Sequence, residues 1–226
     1  MKKFAIIVAG GAGVRMGAAI PKQFLLLHNK PVLWYTLNAF LKAFNDLQII
    51  LVLPEAHFEK GISLANELGA TDRILLVKGG ETRFHSVKNG LQQVSAEAVV
   101  FVHDGVRCLV TPALIRQCYE QTLEKGSAIP AITATDSIRI IENGTHKVAD
   151  RDLIRIIQTP QTFLSNLIIP AFNKEYNPAF TDEATVVEAD GNAVYLVEGE
   201  HSNIKITRTA DLLLAERILE ERDSQS

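Results

Sequence analysis

The sequence predicts an α/β fold: a three-layer sandwich around a mainly parallel central sheet, with a protruding β-hairpin arm. Three observations carry this. Short β-branched runs alternate with longer stretches of helical spacing from residue 4 to residue 132. The run Ala98-Val99-Val100-Phe101-Val102 is apolar throughout, as a central parallel strand covered on both faces should be. After Ile132 the rhythm breaks, and two alternating runs flank Glu142-Asn143-Gly144-Thr145. Asn-Gly between alternating runs is the strongest short hairpin signal.

Residues 4–9 read as the first strand, and Val32 to Phe44 as a helix with apolar residues spaced by three and four. Leu47 to Leu53 reads as a second strand, Pro54 to Leu68 as a helix, Arg73 to Val77 as a third strand and Thr82 to Val94 as a helix. Ala98–Val102 is the fourth strand. Thr111-Pro112 places a cap and then proline at a helix start, and that helix runs to about Lys125. Ala128 to Ile132 is a further strand. The runs 137–141 and 146–157 form the hairpin, which an α/β domain has no layer to bury. Residues 136–157 therefore read as an arm, with a small antiparallel annex at the sheet edge as the alternative. Helices near Ser165–Tyr176 and Thr181–Ala189, a strand at Val194–Val197 and a last helix over Thr209–Arg222 complete a Rossmann-like chain.

With 226 residues and 47% hydrophobic residues, the chain can bury one core, and a single domain over 1–226 is the simplest division. A net charge of −3 argues against a general nucleic-acid or membrane surface. No apolar run approaches the roughly 20 residues of a membrane span. Met1-Lys2-Lys3 leads into only six apolar residues before glycine, which is no secretory signal. These features predict a cytoplasmic protein. Cys108 and Cys118 form no metal or redox spacing and read as reduced, without a role.

Chemistry is first visible after the opening strand, in Gly10-Gly11-Ala12-Gly13-Val14-Arg15-Met16-Gly17 followed by Pro21-Lys22-Gln23. A loop with almost no side chains lets backbone N–H groups approach phosphates, and Arg15 and Lys22 can neutralise what the amides do not. The dinucleotide fingerprint fails because Met16 stands where it needs glycine, and no Gly-Lys-Ser/Thr of a P-loop occurs. On the glycines alone, a tight strand-to-helix turn is the lesser alternative, and Arg15 and Lys22 in the same loop weigh further against it.

In open α/β sheets ligands sit at the carboxyl ends of the strands. The polar groups expected there are Gly79-Gly80-Glu81-Thr82-Arg83 with Ser86, and His103-Asp104-Gly105-Val106-Arg107. Later come Gln158-Thr159-Pro160-Gln161, Thr181-Asp182-Glu183 and Asn203-Ile204-Lys205. Thr181 with its two acids also fits a helix N-cap, and His103 fits a packed histidine. Lys205, between two isoleucines, reads as pointing to the exposed face of a strand. No Ser-His-Asp or Cys-His pairing stands out, nor any obvious general base. A phosphate monoester, with a second pKa of about 6, needs none as a nucleophile. Catalysis then reduces to alignment and charge stabilisation by Lys, Arg and Mg²⁺. No protein ligand for that metal can be assigned; Mg²⁺ often rests mainly on phosphate oxygens and water, with Asp104 only a candidate neighbour.

Taken in order, Ala9 to Met16, Pro21-Lys22-Gln23, His103 to Arg107, Asp150-Arg151, Gln158 to Gln161, Thr181 to Ala184 and Asn203 to Thr207 resemble the 2-C-methyl-D-erythritol 4-phosphate cytidylyltransferase family, within the nucleotidyltransferase superfamily. The resemblance implies an enzyme of non-mevalonate isoprenoid biosynthesis that joins CTP to the methylerythritol phosphate and releases pyrophosphate. It implies that Arg15 and Lys22 are catalytic, holding the triphosphate and stabilising the crowded α-phosphorus. Ala9, Gly10, Gly11, Ala12, Gly13, Gly80 and Ser86 would bind triphosphate and cytosine. Asp104, Gly105, Arg107 and Thr159 would surround the ribose and the alcohol, while Thr181, Arg151 and Lys205 would grip the incoming phosphate. It further implies a homodimer in which Arg151 and Ser137 of the arm complete the partner's site. Three positions depart from the family pattern: Ser137 for threonine, Glu81 for aspartate and Cys108 for proline. The nearest competing family, the ribitol-5-phosphate cytidylyltransferases, shares most of these motifs; the acidic Thr181-Asp182-Glu183-Ala184 favours methylerythritol phosphate. Sugar-1-phosphate nucleotidyltransferases and a non-catalytic nucleotide-binding module are the broader alternatives.

Overall fold

In the computed structural model, which describes residues 1–10, 20–95 and 97–224, β1 (Lys2–Val8) lies between two parallel neighbours at the centre of the sheet. The two-residue strands β2 (Leu26–Leu27) and β3 (Lys30–Pro31) pair with each other, and α1 (Val32–Ala43) follows. Then come β4 (Leu47–Leu53), a 3₁₀ turn at 55–57, α2 (Phe58–Glu67), β5 (Ile74–Lys78) and α3 (Arg83–Leu91). The stretch from Pro54 is thus helical, but its first turn is 3₁₀. Next are β6 (Ala98–Asp104), α4 (Pro112–Lys125) and β7 (Ser127–Thr133). The hairpin is β8 (Ile138–Glu142) and β9 (Thr145–Ala149), followed by a 3₁₀ turn at Arg151–Leu153 and β10 (Arg155–Ile157). The chain ends with β11 (Gln161–Leu164), α5 (Ser165–Ala171), α6 (Glu183–Ala189), β12 (Leu196–Glu198) and α7 (Thr209–Asp223).

The main sheet runs β10-β7-β11-β6-β1-β4-β5, with β12 also paired to β7. Its centre, β6-β1-β4-β5, is parallel; β11 enters antiparallel between β6 and β7. That strand is absent from the sequence reading. Four residues beginning with two polar ones, Gln161 and Thr162, give no apolar signature, yet both are buried and hydrogen-bonded.

Alternation along β1 sets the layers. Ala5 and Ile7 pack with Leu33, Leu37, Phe40 and Leu114 of α1 and α4, while Ile6 packs with Val87 of α3, Ile168 of α5 and Val186 of α6. A satellite core joins Ala215 of α7 to Leu27, Val32, Leu109 and Ile206. Caps fix the helix ends as read: Thr111 accepts from Leu114 N–H, Pro112 opens α4, and Gly126 closes it in the left-handed conformation at φ 87°. The helix from Ser165 stops at Ala171, just after Pro170, five residues short of the expected Tyr176. The strand expected at 194–197 is shifted to 196–198.

The hairpin pairs only with itself, from Ile138↔Ala149 to Glu142↔Thr145, as its own two-stranded sheet. Beyond it β10 rejoins β7. No helix among the described residues is long and apolar enough to cross a membrane.

Candidate active site

The carboxyl ends of β1, β5 and β6 bring three short loops together. Gly10 follows β1, and a side chain there would meet Ser86 Oγ at 3.9 Å. Ser86 Oγ accepts from Gly80 N–H at 3.1 Å and donates to Thr82 O at 3.0 Å, so α3 starts against the end of β1. Ala9 O accepts from the buried Gln23 Nε2 at 2.7 Å, which pins the Pro21-Lys22-Gln23 turn to the same place. Lys22 Nζ reaches across to Thr207 O at 2.8 Å. Gly11, Ala12, Gly13 and Arg15 lie outside the described residues.

At the end of β6 a chain of hydrogen bonds shapes the turn. Asp104 N–H donates to Thr159 Oγ1 at 3.1 Å, and Thr159 O–H donates to His103 Nδ1 at 3.0 Å. His103 Nε2 lies 3.1 Å from Arg107 O. A carbonyl can only accept, so Nε2 carries the proton and Nδ1 is the acceptor. Burial pushes the His103 pKa down to about 3, against the opposing pull of Asp104, and the ring is neutral at pH 7. His103 is therefore a packed histidine, edge-on to Phe40. Gly105 is buried in this turn; an added Cβ would stand 2.9 Å from Ala9 Cβ and 3.3 Å from Val8 O.

Asp104 is the hub. Its carboxylate meets Lys205 Nζ at 2.9 Å, Arg83 Nε at 3.2 Å and Arg107 Nε at 3.5 Å. Burial alone would raise its pKa, but the charges of Arg83, Lys205 and Arg107 outweigh that and hold the group well below the usual carboxylate range. Arg83 also grips Glu183, whose carboxyl is 1% exposed, through both terminal nitrogens. Arg107 is further fixed by Asn203 O at 2.8 Å, and buried Asn203 donates to Thr159 O at 2.9 Å. Three cations, Arg83, Arg107 and Lys205, thus face two carboxylates, and Lys22 lies beside Thr207 of the same segment. The surplus is positive, which suits a polyanion.

Lys205 is not on a strand; it turns inward to Asp104 with its side chain 45% exposed. Thr181 is exposed and precedes the cap of α6 rather than being it. Asp182 caps that helix, accepting from Thr185 N–H at 2.9 Å. Thr181 shares a small cleft with Arg83, Phe84, Phe172 and Phe180. Arg151 and Ser137 stand apart: both are exposed, and Arg151 donates to Thr135 O at 3.0 Å at the base of the hairpin. The sequence places Arg83 and Glu183 among the polar groups at the strand ends and Gln23 in the Pro21-Lys22-Gln23 turn, but assigns none of the three a substrate contact. Arg83 and Glu183 are 100 positions apart, so only the fold reveals the pair. Cys108 and Cys118 are free and buried, and burial pushes both thiols up to about 12, which leaves them inert.

These features agree with comparisons to known proteins. Residues 4–221 match the model of the IspD family, 2-C-methyl-D-erythritol 4-phosphate cytidylyltransferase. The chain belongs to this family. The cytidylyltransferase of Bacteroides fragilis is 46% identical over 220 residues, covering 97% of this chain and all of the relative. That of Porphyromonas gingivalis is 42% identical over 96% of this chain and 98% of its own. Among solved structures, 4-diphosphocytidyl-2C-methyl-D-erythritol synthase from Anaerococcus prevotii superposes with a TM-score of 0.83 at 28% identity, covering 97% and 99% of the two chains. The cytidylyltransferase of Thermus thermophilus gives 0.75 at 29% identity, covering 97% and 100%. The fold of the cytidylyltransferase family is accordingly α/β, a mixed sheet with parallel central strands flanked by helices, and the chain is a nucleotidyltransferase.

Among the described residues no group of three His, Cys, Asp or Glu side chains is placed to hold a metal. Asp104 is already engaged by three cations.

Proposed function

We propose that this chain transfers the cytidylyl group of CTP to the phosphate of 2-C-methyl-D-erythritol 4-phosphate. A phosphate oxygen of the polyol attacks the α-phosphorus, the bond from that phosphorus to the bridging oxygen breaks, and pyrophosphate leaves with the electron pair. The family match across residues 4–221 carries this reading. The cation-rich rim at the strand ends supports it, since a dianionic nucleophile calls for alignment and charge neutralisation rather than a base.

In this reading Lys22 and Arg15 hold the triphosphate and stabilise charge at the α-phosphorus as the leaving oxygen departs. Backbone at Ala9–Gly13 and Gly80, with Ser86, receives the nucleotide; Asp104, Gly105, Arg107 and Thr159 surround the ribose and the polyol. Thr181, Lys205 and Arg151 hold the attacking phosphate. A divalent cation, Mg²⁺ in the first instance, neutralises part of the triphosphate charge when bound. The chain acts in the cytoplasm as a homodimer, 1–226 forming one domain and 136–157 its dimerisation arm. Exposed Ile141, Val148 and Leu153, 78%, 69% and 80% accessible, give that arm apolar surface to bury.

The test is a substrate panel with pyrophosphate detection. Release with CTP and methylerythritol phosphate, and little with ribitol 5-phosphate, UTP or GTP, is expected. Exclusive turnover of ribitol phosphate would replace the acceptor, and equal use of purine triphosphates would replace the nucleotide.

A further inference from the structure

Arg83 touches both buried carboxylates of the site. Its terminal nitrogens fork onto Glu183, at 3.0 Å for Nη2, while Nε points to Asp104 at 3.2 Å. A guanidinium is planar, so a two-point grip on Glu183 fixes the plane and with it the direction of Nε–H. Glu183 itself is 1% exposed, and a carboxylate so deeply buried persists only when paired. Both residues open helices: Arg83 begins α3, beside Gly80 and Ser86, and Glu183 begins α6, beside Thr181. Gln161 reinforces the second helix start, donating to Asp182 Oδ2 at 2.9 Å and accepting from Ala184 N–H at 2.8 Å. A purely structural staple could be apolar at no loss of stability. This one is left 29% exposed at its Arg83 end, in the cleft with Thr181.

We infer that Arg83, pinned by Glu183, is a positioning residue for the transfer: it aims the Asp104 carboxylate and ties the acceptor-side loop at Thr181 to the nucleotide-side loop at Gly80 and Ser86. The inference rests on the reaction proposed above. It makes the two substrate sides one mechanical unit.

The full chain carrying Glu183→Gln, Arg83→Lys, or Arg83→Met with Glu183→Gln is compared with wild type well below the melting temperatures. Pyrophosphate release, CTP titration and amide exchange over 181–185 are measured. The double variant removes both charges and leaves none buried alone, which protects folding. For the double variant kcat/KM toward the polyol phosphate should fall about 30- to 100-fold, and for Glu183→Gln about 10-fold, with CTP affinity within about threefold. Arg83→Lys should recover only part of the loss, because lysine cannot fork. CTP should slow exchange at 181–185 in wild type and leave it unchanged in the double variant. Wild-type kinetics in folded variants, or CTP protection of 181–185 that survives the double change, overturns the inference. A wild-type chain that releases no pyrophosphate overturns the reaction instead, and the exchange experiment still decides the coupling.

Discussion

The Asp104 cluster and the 136–157 arm belong to one proposed site but are built in opposite ways. Asp104, 7% exposed, is braced by Arg83, Arg107 and Lys205, and its turn is closed by Thr159 and His103. A single chain suffices to set that geometry. The arm's hairpin, β8 and β9, pairs only with itself, only β10 at the arm's end rejoins the main sheet, and Arg151 at the hairpin's base is exposed with one backbone partner. Low-dielectric surroundings strengthen the first and leave the second screened by water. The hub is pre-organised within one chain, whereas in the proposed function the arm meets its counterpart in a second copy. Breaking the two halves should therefore produce different kinetic signatures.

The largest effect is expected on the pre-organised side. Lys22→Ala should lower turnover by roughly 10²–10³, the scale of losing one fixed electrostatic stabiliser, with a smaller loss of CTP affinity. Steady-state kinetics with both substrates measures it. The bond from Lys22 Nζ to Thr207 O suggests part of the loss will be positional, since Thr207 follows Lys205 closely. Near-normal turnover would remove Lys22 from the charge-stabilising set.

On the arm, Arg151→Ala should raise KM for the polyol phosphate about 10- to 100-fold and leave CTP binding nearly unchanged. If the arm is exchanged between copies, mixing Arg151→Ala with Lys22→Ala chains restores activity, since each mixed dimer holds one intact site. Verified mixed dimers without recovery would show that each chain builds its own site. In the proposed dimer, Ile141→Glu should also shift the chain toward monomer in sedimentation, because it charges an apolar side chain left 78% exposed on the hairpin.

The same contrast governs what could be read from sequence. The parallel core was legible because β1, β4 and β6 are apolar runs, and α4 because Thr111, Pro112 and Gly126 mark its ends locally. The hairpin was legible from Asn143-Gly144, both at positive φ, 49° and 77°. Non-local features were not. The Arg83–Glu183 pair spans 100 positions, and β11 depends on neighbours at 99–102 and 127–128 rather than on its own composition. Lys205 looked like a strand residue because isoleucines flank it, but the segment makes a local bond, Ile204 N–H to Ser202 O at 2.8 Å, and a single bond to a neighbouring segment, Ile206 N–H to Val106 O at 3.0 Å, rather than a strand ladder. Without a ladder, its direction is set by Asp104.

Packing offers a milder probe of the hub. Gly105 donates to Val8 O at 2.9 Å and accepts from Thr36 Oγ1 at 3.0 Å, which brings its backbone hard against β1. Gly105→Ala would push a methyl against Ala9 Cβ at 2.9 Å, and the backbone below it cannot yield cheaply. A loss of about 1–3 kcal/mol in denaturant unfolding is expected, with reduced CTP affinity as Ala9 shifts. Gly144→Ala, with nothing within 4 Å, strains only a positive-φ turn and should leave CTP binding intact.

The smallest effect separates the hub by pH. His103 is fully buried and neutral, with its pKa held down at about 3, whereas an unfolded histidine titrates near 6.5. Between those values the unfolded chain binds a proton that the folded chain refuses. Stability therefore falls as pH drops below about 6.5, at up to about 1.4 kcal/mol per pH unit from this group. Glu183 works in the opposite sense, because burial raises its pKa and its contribution is lost as pH rises; Asp104, with a lowered pKa, contributes stability that is fully present above about 4 and is lost only as pH falls below it. A comparison of wild type with His103→Gln between pH 7 and pH 5 cancels both. The glutamine variant should be less stable at pH 7, having lost the bonds to Thr159 and Arg107, yet show the flatter acid slope in urea unfolding. Parallel slopes would mean that the proton is taken up elsewhere. The neutral Nε2–H tautomer would then not be what holds the Asp104 turn.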